Sequence, residues 1–535
     1  MKRILHILSL LLVCASSFGQ STRDLSLQLN KYGQTLYYIR NFYLDTVNVP
    51  KMVDAAIVET LKQLDPHSSY ISKEDVEAMN EPLEAEFEGI GVEFAIINDT
   101  LTVQATVAGG PSEKVGIRAG DKIVTVDGEN IAGVKITNDK VYKYLRGKKG
   151  TKVLLEVVRR GVSEKLAFTV VRDKIPLHSL DAAYEPVKGC LYLKLSRFAA
   201  TSYDEIMTAF EQHAGINSVI LDLRSNSGGY LHTAIAIANE FLERDQLIVY
   251  TEGRTVRGAK EFADGEGIFQ KGPLVVLVDE NSASASEIVS GAIQDQDRGV
   301  IIGRRTFGKG LVQQMLPLND GAQLRLTVAR YHTPSGRVIQ APYQEGEREK
   351  YYEQFNRRFT HGESFSKDSI QMPDSLKYET LISKRVVYGG GGIMPDIFIP
   401  QDTSFYTPYY GLLLRNGLVQ EYANKVTDAN REKWTGKYRS SDHFIRSFKV
   451  DDDLFNGLVQ MAKDSGIEPV EEQIKISRET LDNYIKALIA SALYDRTDFY
   501  RVLHSGGDPE LEKALEVIKN WDKYLEELDI YEKNN

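Results

Sequence analysis

Three serines alternate with alanines in VDENSASASEIVSGAIQD (278–295), where an apolar run gives way to small residues and then to a helical pattern with Ile288, Ala292 and Ile293 on one face. A serine at such a junction sits at a helix N-terminus. Beside it are backbone N–H groups without intrahelical acceptors and the positive end of the helix dipole. Those are the groups a nucleophile needs when its attack on a carbonyl generates an oxyanion, and the small alanines let that carbonyl approach. On this segment alone, Ser282, Ser284 and Ser286 read equally well as helix N-caps.

A lysine framed by two glycines follows in TFGKGLVQQ (306–314). To act as a base Lys309 must be neutral, and at a reference pKa of about 10.4 only about one amine in a thousand is neutral near pH 7.4. Burial has to bring that value toward about 7–8 for useful catalysis. Gln313 would lie ~13 Å from Lys309 along a fully extended strand at ~3.3 Å per residue. Its carbonyl orients the amine only if Gly308 and Gly310 let the chain coil; otherwise it is a strand surface residue. A third string, LDLRSNSGG (221–229), ends an apolar strand in a polar turn and two glycines. Gly228 and Gly229 can bring N–H groups to an oxyanion beside the N–H of Ala285, or can simply make a strand-to-helix turn. No histidine is followed by glutamate, so there is no HExxH zinc site, and no GxSxG elbow occurs. No metal or organic cofactor is implied.

These strings need elements to position them. Apolar runs LYLKL (191–195), SVILDLR (218–224), LVVLV (274–278) and GVIIG (299–303) alternate with helical patterns at 203–213, 231–242 and 285–294. Strands without polar alternation are buried on both faces, which points to an α/β core. Residues 21–85 read as helical, closed by a turn at LDPHSSY (64–70). Residues 89–172 carry short β-branched runs broken by Gly and Asp turns, with one helix at 138–145. Residues 343–385 are charged, rich in tyrosine and without a clear period, as an insertion would be. Beyond 405 the chain is mostly helical.

The chain has 535 residues, 42% hydrophobic and 26% charged, which suits several globular domains. Its formal charge is −10, or −12 without Lys2 and Arg3, and no basic stripe invites nucleic acid. Lys2 and Arg3 precede an apolar run from Ile4 to Ala15 and then small residues, the order of a secretory signal peptide ending at Gly19. The mature chain would keep one cysteine, Cys190, which reads as a small buried side chain.

Together these strings resemble the carboxyl-terminal processing proteases, the tail-specific serine peptidases of family S41. ENSASASEI, TFGKGLVQQ, LDLRSNSGG, TPSGRVIQ (333–340) and GGIMPDI (391–397) each look like a family motif, in the family's order. The resemblance implies Ser284 as nucleophile, Lys309 as base, Gln313 as its orienting partner, and an oxyanion hole from Gly228, Gly229 and Ala285. It also implies a PDZ domain at 86–172, with Gly89, Ile90, Gly91, Val92 and Phe94 lining a groove for unstructured C-terminal tails with apolar ends; Arg146, in LRGKKG, reads either as a residue coupling that domain to the core or as a solvated turn arginine. The implied fold is α+β and multidomain: signal peptide 1–19, helical N-terminal region 20–85, PDZ domain 86–172, an α/β peptidase core of ClpP/crotonase type at 173–404 containing the insertion 343–385, and a helical C-terminal domain 405–535. An exported, periplasmic or cell-envelope endopeptidase follows, with an adaptor protein and a homo-oligomer left open as partners. The competing expectation is a catalytically silent PDZ scaffold on a peptidase-like core, which the intact Ser284 and Lys309 disfavour. Ser227 departs from the family pattern, which usually has proline there.

Overall fold

The structure, a computed structural model, describes residues 23–107, 109–159, 161–255 and 258–530; the expected leader 1–19 lies outside the described residues. Four strands in which every residue is buried, from the runs CLYLKL, SVILD, LVVLV and VIIG, form the middle of a six-stranded sheet. Its order is β1 (Leu180–Val187), β2 (Cys190–Leu195), β3 (Ser218–Asp222), β4 (Leu274–Val278), β5 (Val300–Gly303) and β6 (Ile397–Phe398). Strands β1 and β2 are antiparallel, and all later neighbours are parallel. Helices α1 (Ser202–Gln212), α2 (Leu231–Asn239) and α3 (Ala285–Asp295) make the crossovers from β2 to β5. Because the strand order is monotonic and crossovers share one hand, all three helices fall on the same face.

That face buries Leu191, Leu193, Val219, Leu221, Val276 and Val278 against Ile206, Ile237 and Ile288. The alternate residues Tyr192, Ile220, Val275, Leu277 and Val300 point the other way and need a second cover. It comes from the far end of the chain, where Leu511, Ala514 and Val517 of the helix Pro509–Lys519 pack on them. The region 405–535, read as one helical domain, therefore divides. Helices from Pro408 to Ser505 enclose their own core around Leu413, Phe444, Phe455, Leu481 and Ile485, whereas the last two helices complete the peptidase sheet. Cys190 is buried, and burial pushes its thiol up to about 11, so it is a packing residue.

The expected PDZ module is a small antiparallel sheet in the order Val92–Ile96, Leu101–Thr106, Lys122–Val126, Lys152–Val158 and Leu166–Val171, with helices Pro111–Lys114 and Asn138–Leu145. Strict burial alternation along Lys152–Val158 shows one face of that sheet packed and one open. A ribbon of Glu86–Gly89 with Asp173–Pro176 joins the module's entry and exit.

The described chain forms two compact units, the smaller comprising residues up to Glu74 with Met315–Leu326 and Tyr343–Arg348. It contains a helix over 23–42, the helix Val49–Leu61 and the strand Ser69–Ile71. LDPHSSY, expected as a turn, is fastened by Asp65 accepting from the N–H groups of His67 and Ser68, and then runs into that strand. The strand's partner is Gln323–Arg325, too far along the chain for a local pattern to reveal.

Candidate active site

The serine string resolves by what each hydroxyl touches. Ser282 is fully buried, its Oγ donating to Leu223 O (2.8 Å) and accepting from Asp279 N (2.9 Å). Ser286 is also fully buried and donates to Asn226 O (2.8 Å). Ser284 is part-exposed and stands at the N-cap position of α3 with φ 56° and ψ −111°, a conformation non-glycine residues avoid. Such a backbone costs about 1–3 kcal/mol and persists only where its surroundings over-determine it. Here they do: Glu287 Oε2 accepts from Ser284 N (2.8 Å), and the buried Tyr331 hydroxyl donates to Ser284 O (3.1 Å).

Both side chains also hold the lysine loop. Glu287 Oε2 accepts from Lys309 N (2.9 Å), and its Oε1 accepts from Gly308 N (2.7 Å) and Thr306 Oγ1 (2.6 Å). The single Tyr331 hydroxyl proton is shared between Lys309 O (2.6 Å) and Ser284 O (3.1 Å). One buried carboxylate and one buried phenol thus tie the serine's main chain to the lysine's. Burial pushes Glu287 up to about 7, against four donors that pull it down. Neither residue was read from the sequence. The signal for Glu287 was present, a Glu three residues after a capping serine; Tyr331 comes from the distant strand Gln323–His332 and had none.

Lys309 Nζ donates to Gln313 Oε1 at 2.8 Å, so the two residues do meet. The loop from Arg304 to Gly310 is neither helix nor strand, and Gln313 begins only the third position of the strand Leu311–Pro317. The glycines around Lys309 are needed for close approach. A Cβ on Gly308 would lie 3.0 Å from Gly391 C, and one on Gly310 would lie 2.9 Å from Gln340 N.

The glycine turn is pressed against the serine. A Cβ on Gly228 would lie 2.8 Å from Ser284 Cβ and 3.0 Å from Ala285 N. Of the three expected oxyanion donors, however, Gly228 is engaged: its N–H donates to Asn226 Oδ1 at 2.9 Å. Asn226 is fully buried and also accepts on its carbonyl from Ala283 N (3.0 Å), binding the two loops together. Gly229 bridges to Phe198 through its neighbours' groups, Gly228 O and Tyr230 N, which turns its own N–H the other way. Ala285, the first helical residue, has no intrahelical acceptor. Among the described residues neither of these two N–H groups meets an acceptor. Ser227, in proline's usual place, is exposed.

The remaining family-like strings fix the other end of α3. Arg337 is fully buried and donates to Asp295 Oδ1 (2.7 Å), Gln294 Oε1 (2.8 Å) and Tyr388 O (2.9 Å). Asp396 accepts from Ile301 N (2.8 Å) and Gln294 Nε2 (2.9 Å). A cavity of ≈ 860 Å³ lies apart from Ser284 at the ends of β3–β5, where Arg224 and Arg304 pair with Asp508 and Glu510. Burial opposes ionisation of Asp222 there, but Arg224 and Lys194 outweigh it and hold the carboxyl far below its usual range. Lys194, Asp222, Arg224, Arg304, Asp508 and Glu510 there pair with one another, as at a structural joint.

In the PDZ module, Val92–Ile96 is an edge strand that among the described residues pairs only with Leu101–Thr106, preceded by the turn Gly89–Ile90–Gly91. Ile90 was expected to line the groove, but its side chain is 2% exposed and belongs to the module's core. Gly91 has φ 70°, and a Cβ there would meet Ile175 Cδ1 at 2.9 Å. Phe94 meets Tyr142 of the helix Asn138–Leu145 edge to face at 5.7 Å, bridging strand and helix. Arg146 lies over Tyr142 (4.8 Å) and Phe87 (5.0 Å) and pairs with Glu81 Oε2 at 2.5 Å. Its partner is therefore the helix Val76–Glu84, whose Leu83 O accepts from Ala200 N of the core.

A serine and a lysine main chain gathered on one carboxylate, on an α/β core behind a PDZ-like module, define a serine-peptidase arrangement. Residues 189–345 match peptidase family S41, residues 102–159 a PDZ domain, and residues 409–495 a family of unknown function. A carboxy-terminal-processing protease of Bartonella bacilliformis is 35% identical over 62% of this chain and 77% of its own length. Carboxy-terminal processing protease CtpB of Bacillus subtilis is 32% identical over 61% and 68%. Among solved structures, a photosystem II D1 C-terminal processing protease is 30% identical over 58% of this chain and 84% of its own, with a TM-score of 0.33. The chain belongs to the carboxy-terminal processing serine proteases of family S41.

Proposed function

We propose that the chain is an endopeptidase in which Ser284 is the nucleophile, Lys309 the general base and Gln313 the group that aims it. Ser284 Oγ attacks the scissile carbonyl carbon while the neutral Lys309 amine takes the hydroxyl proton. Ala285 N and Gly229 N stabilise the oxyanion, with Gly228 N joining only if it leaves Asn226. When the tetrahedral adduct collapses, the C–N bond breaks and Lys309 returns the proton to the departing amine. Water, deprotonated by Lys309, then hydrolyses the acyl-enzyme. The observation that carries this reading is the 2.8 Å bond from Lys309 Nζ to Gln313 Oε1, made by a lysine whose own main chain shares Glu287 with Ser284. Together with Glu287, the bond holds the lysine at both its main chain and its amine.

The substrate class is an unstructured C-terminal tail with an apolar end. The open edge of Val92–Ile96 offers main-chain pairing, and the N–H groups near Gly89–Gly91 offer a seat for the terminal carboxylate. The leader-like first nineteen residues assign the work to exported proteins in the periplasm or cell envelope; among the described residues no helix is long and apolar enough to cross a membrane. The test is cleavage of one unstructured peptide with a free or an amidated apolar C-terminus. Ser284→Ala and Lys309→Ala should abolish cleavage, and Lys309→Arg should fail because guanidinium keeps its proton. Amidation should slow the wild type. Unchanged turnover in Ser284→Ala sinks the mechanism, and indifference to amidation sinks the tail recognition.

A further inference from the structure

The insertion 343–385 separates two strings that the family resemblance places close together, and the sequence assigned it no role. In the structure its helix, Arg348–Thr360, reaches the loop that carries Lys309. Arg358 Nη1 donates to Thr306 O (3.0 Å) and Phe307 O (3.2 Å), and its Nη2 donates to Arg305 O (2.9 Å). Phe355 stacks flat on Phe307, with centroids 4.1 Å apart and planes at 9°.

The loop's main chain shows why these contacts matter. Lacking helix or strand pairing, each polar group needs a partner of its own. The N–H groups of Thr306 and Phe307 go to Ile393 O and Ser282 O, and those of Gly308 and Lys309 go to Glu287. The carbonyls of Gly308 and Lys309 accept from Ala341 N and Tyr331 Oη. Three successive carbonyls, Arg305 to Phe307, are held by Arg358. Glu287 holds the loop from inside by its N–H groups, and Arg358 holds it from the insertion by its carbonyls. A planar guanidinium can span three carbonyls in a row, whereas an ammonium is a point donor. The fork is itself braced, because Glu363 Oε2 pairs with Arg358 Nε (3.1 Å) and Arg305 Nη2 (2.7 Å). Downstream of Lys309, Gly310 N donates to Gln340 Oε1, and Gln340 Nε2 donates to the hydroxyl of Tyr351 on the same helix. The insertion therefore touches both flanks of the lysine.

We propose that the insertion splints the base-bearing loop, with Arg358 as the positioning residue that sets the reach of Lys309. The proposal rests on Lys309 being the base. Arg358 contacts no reacting atom and acts only by fixing the loop. Splinting makes the insertion part of the working enzyme.

The experiment uses the full chain with Arg358→Ala, Arg358→Lys, Phe355→Ala and Ser284→Ala. Steady-state cleavage of a peptide with a free apolar C-terminus is read beside amide hydrogen exchange across residues 303–312. Arg358→Ala should lower kcat roughly 10- to 100-fold, the scale of a small misplacement of a catalytic group, with KM within about twofold. The acidic limb of its kcat/KM profile should move to higher pH, because a loosened amine is better solvated and holds its proton longer. Arg358→Lys should recover only part of kcat, and Phe355→Ala should fall between it and the wild type. Exchange across 303–312 should quicken in Arg358→Ala and Phe355→Ala. A folded Arg358→Ala enzyme with wild-type kcat overturns the splint, as does unchanged loop exchange in both variants. Should Arg358→Ala not fold, Phe355→Ala decides by the same two readouts. Activity surviving in Ser284→Ala would instead overturn the Ser–Lys reading, while the exchange data still judge the splint alone.

Discussion

Replacing Glu287 by glutamine separates what holds the site together from what holds the protein together. The carboxylate is fully buried and accepts four hydrogen bonds, from Ser284 N, Thr306 Oγ1, Gly308 N and Lys309 N. Burial nevertheless raises it from 4.5 to about 7, so ionising it in the fold costs more than its four donors return. Between those two values the folded protein holds a proton the unfolded chain has lost, which is worth about 3 kcal/mol. The group's stabilising effect is complete below pH 4.5 and is lost as pH rises through about 7. Glutamine is neutral at every pH and has about the acceptor capacity of a protonated carboxyl. Glu287→Gln removes this pH dependence but sets two buried donors against its amide, so its stability relative to wild type should rise by about 3 kcal/mol between pH 4.5 and pH 8, starting from a deficit set by the lost bonds. Its amide must face two of the four donors, so the Ser284 and Lys309 main chains or the Thr306–Gly308 pair lose their tie. Turnover should fall on the order of 100-fold, as for a shift of about 1 Å in a catalytic group. Urea midpoints of both proteins at pH 5, 7 and 8.5, with kcat at pH 8, make the test. A difference between variant and wild type that stays the same from pH 5 to pH 8.5 would show that Glu287 does not titrate across that range. Unchanged kcat would show that the carboxylate does not position the pair.

Gly228→Ala should cut kcat by at least about 100-fold with little change in KM. Its φ of 102° is unsuited to an L side chain, and the new methyl would lie 2.8 Å from Ser284 Cβ. Steady-state kinetics on the tailed peptide checks it. Arg146→Ala removes a part-exposed ion pair of about 1 kcal/mol or less, so the melting temperature should barely move. Cleavage should lose its dependence on a free C-terminus, and Glu81→Gln should reproduce that loss. Arg337→Met strands Asp295 in a fully buried site and should cost about 3–5 kcal/mol in urea denaturation.

The α/β core was legible because its strands are buried on both faces and so carry unbroken apolar runs. Helix α3 was legible from its periodicity, and the glycine-framed lysine from the contrast with its surroundings. Local pattern could not choose among Ser282, Ser284 and Ser286; burial and hydrogen bonding distinguish them, since Ser282 and Ser286 are spent on Leu223 and Asn226. Contacts made across long stretches of chain were invisible. Tyr331 reaches Ser284 from another strand, the helix Pro509–Lys519 covers a sheet formed some three hundred residues earlier, and Ile90 turns into a core made by later strands. The insertion helix was missed because charge masks its period, and Tyr351 is its one buried residue.

The central claim, that Ser284 is the nucleophile activated by Lys309, is tested most directly by covalent capture. The intact protein is treated with a fluorophosphonate, and the modified residue is located by peptide mass mapping. The account predicts one adduct, on Ser284, that forms in Ser282→Ala and Ser286→Ala and is lost in Lys309→Ala. An adduct on another serine, or undiminished labelling of Ser284 without Lys309, would contradict it.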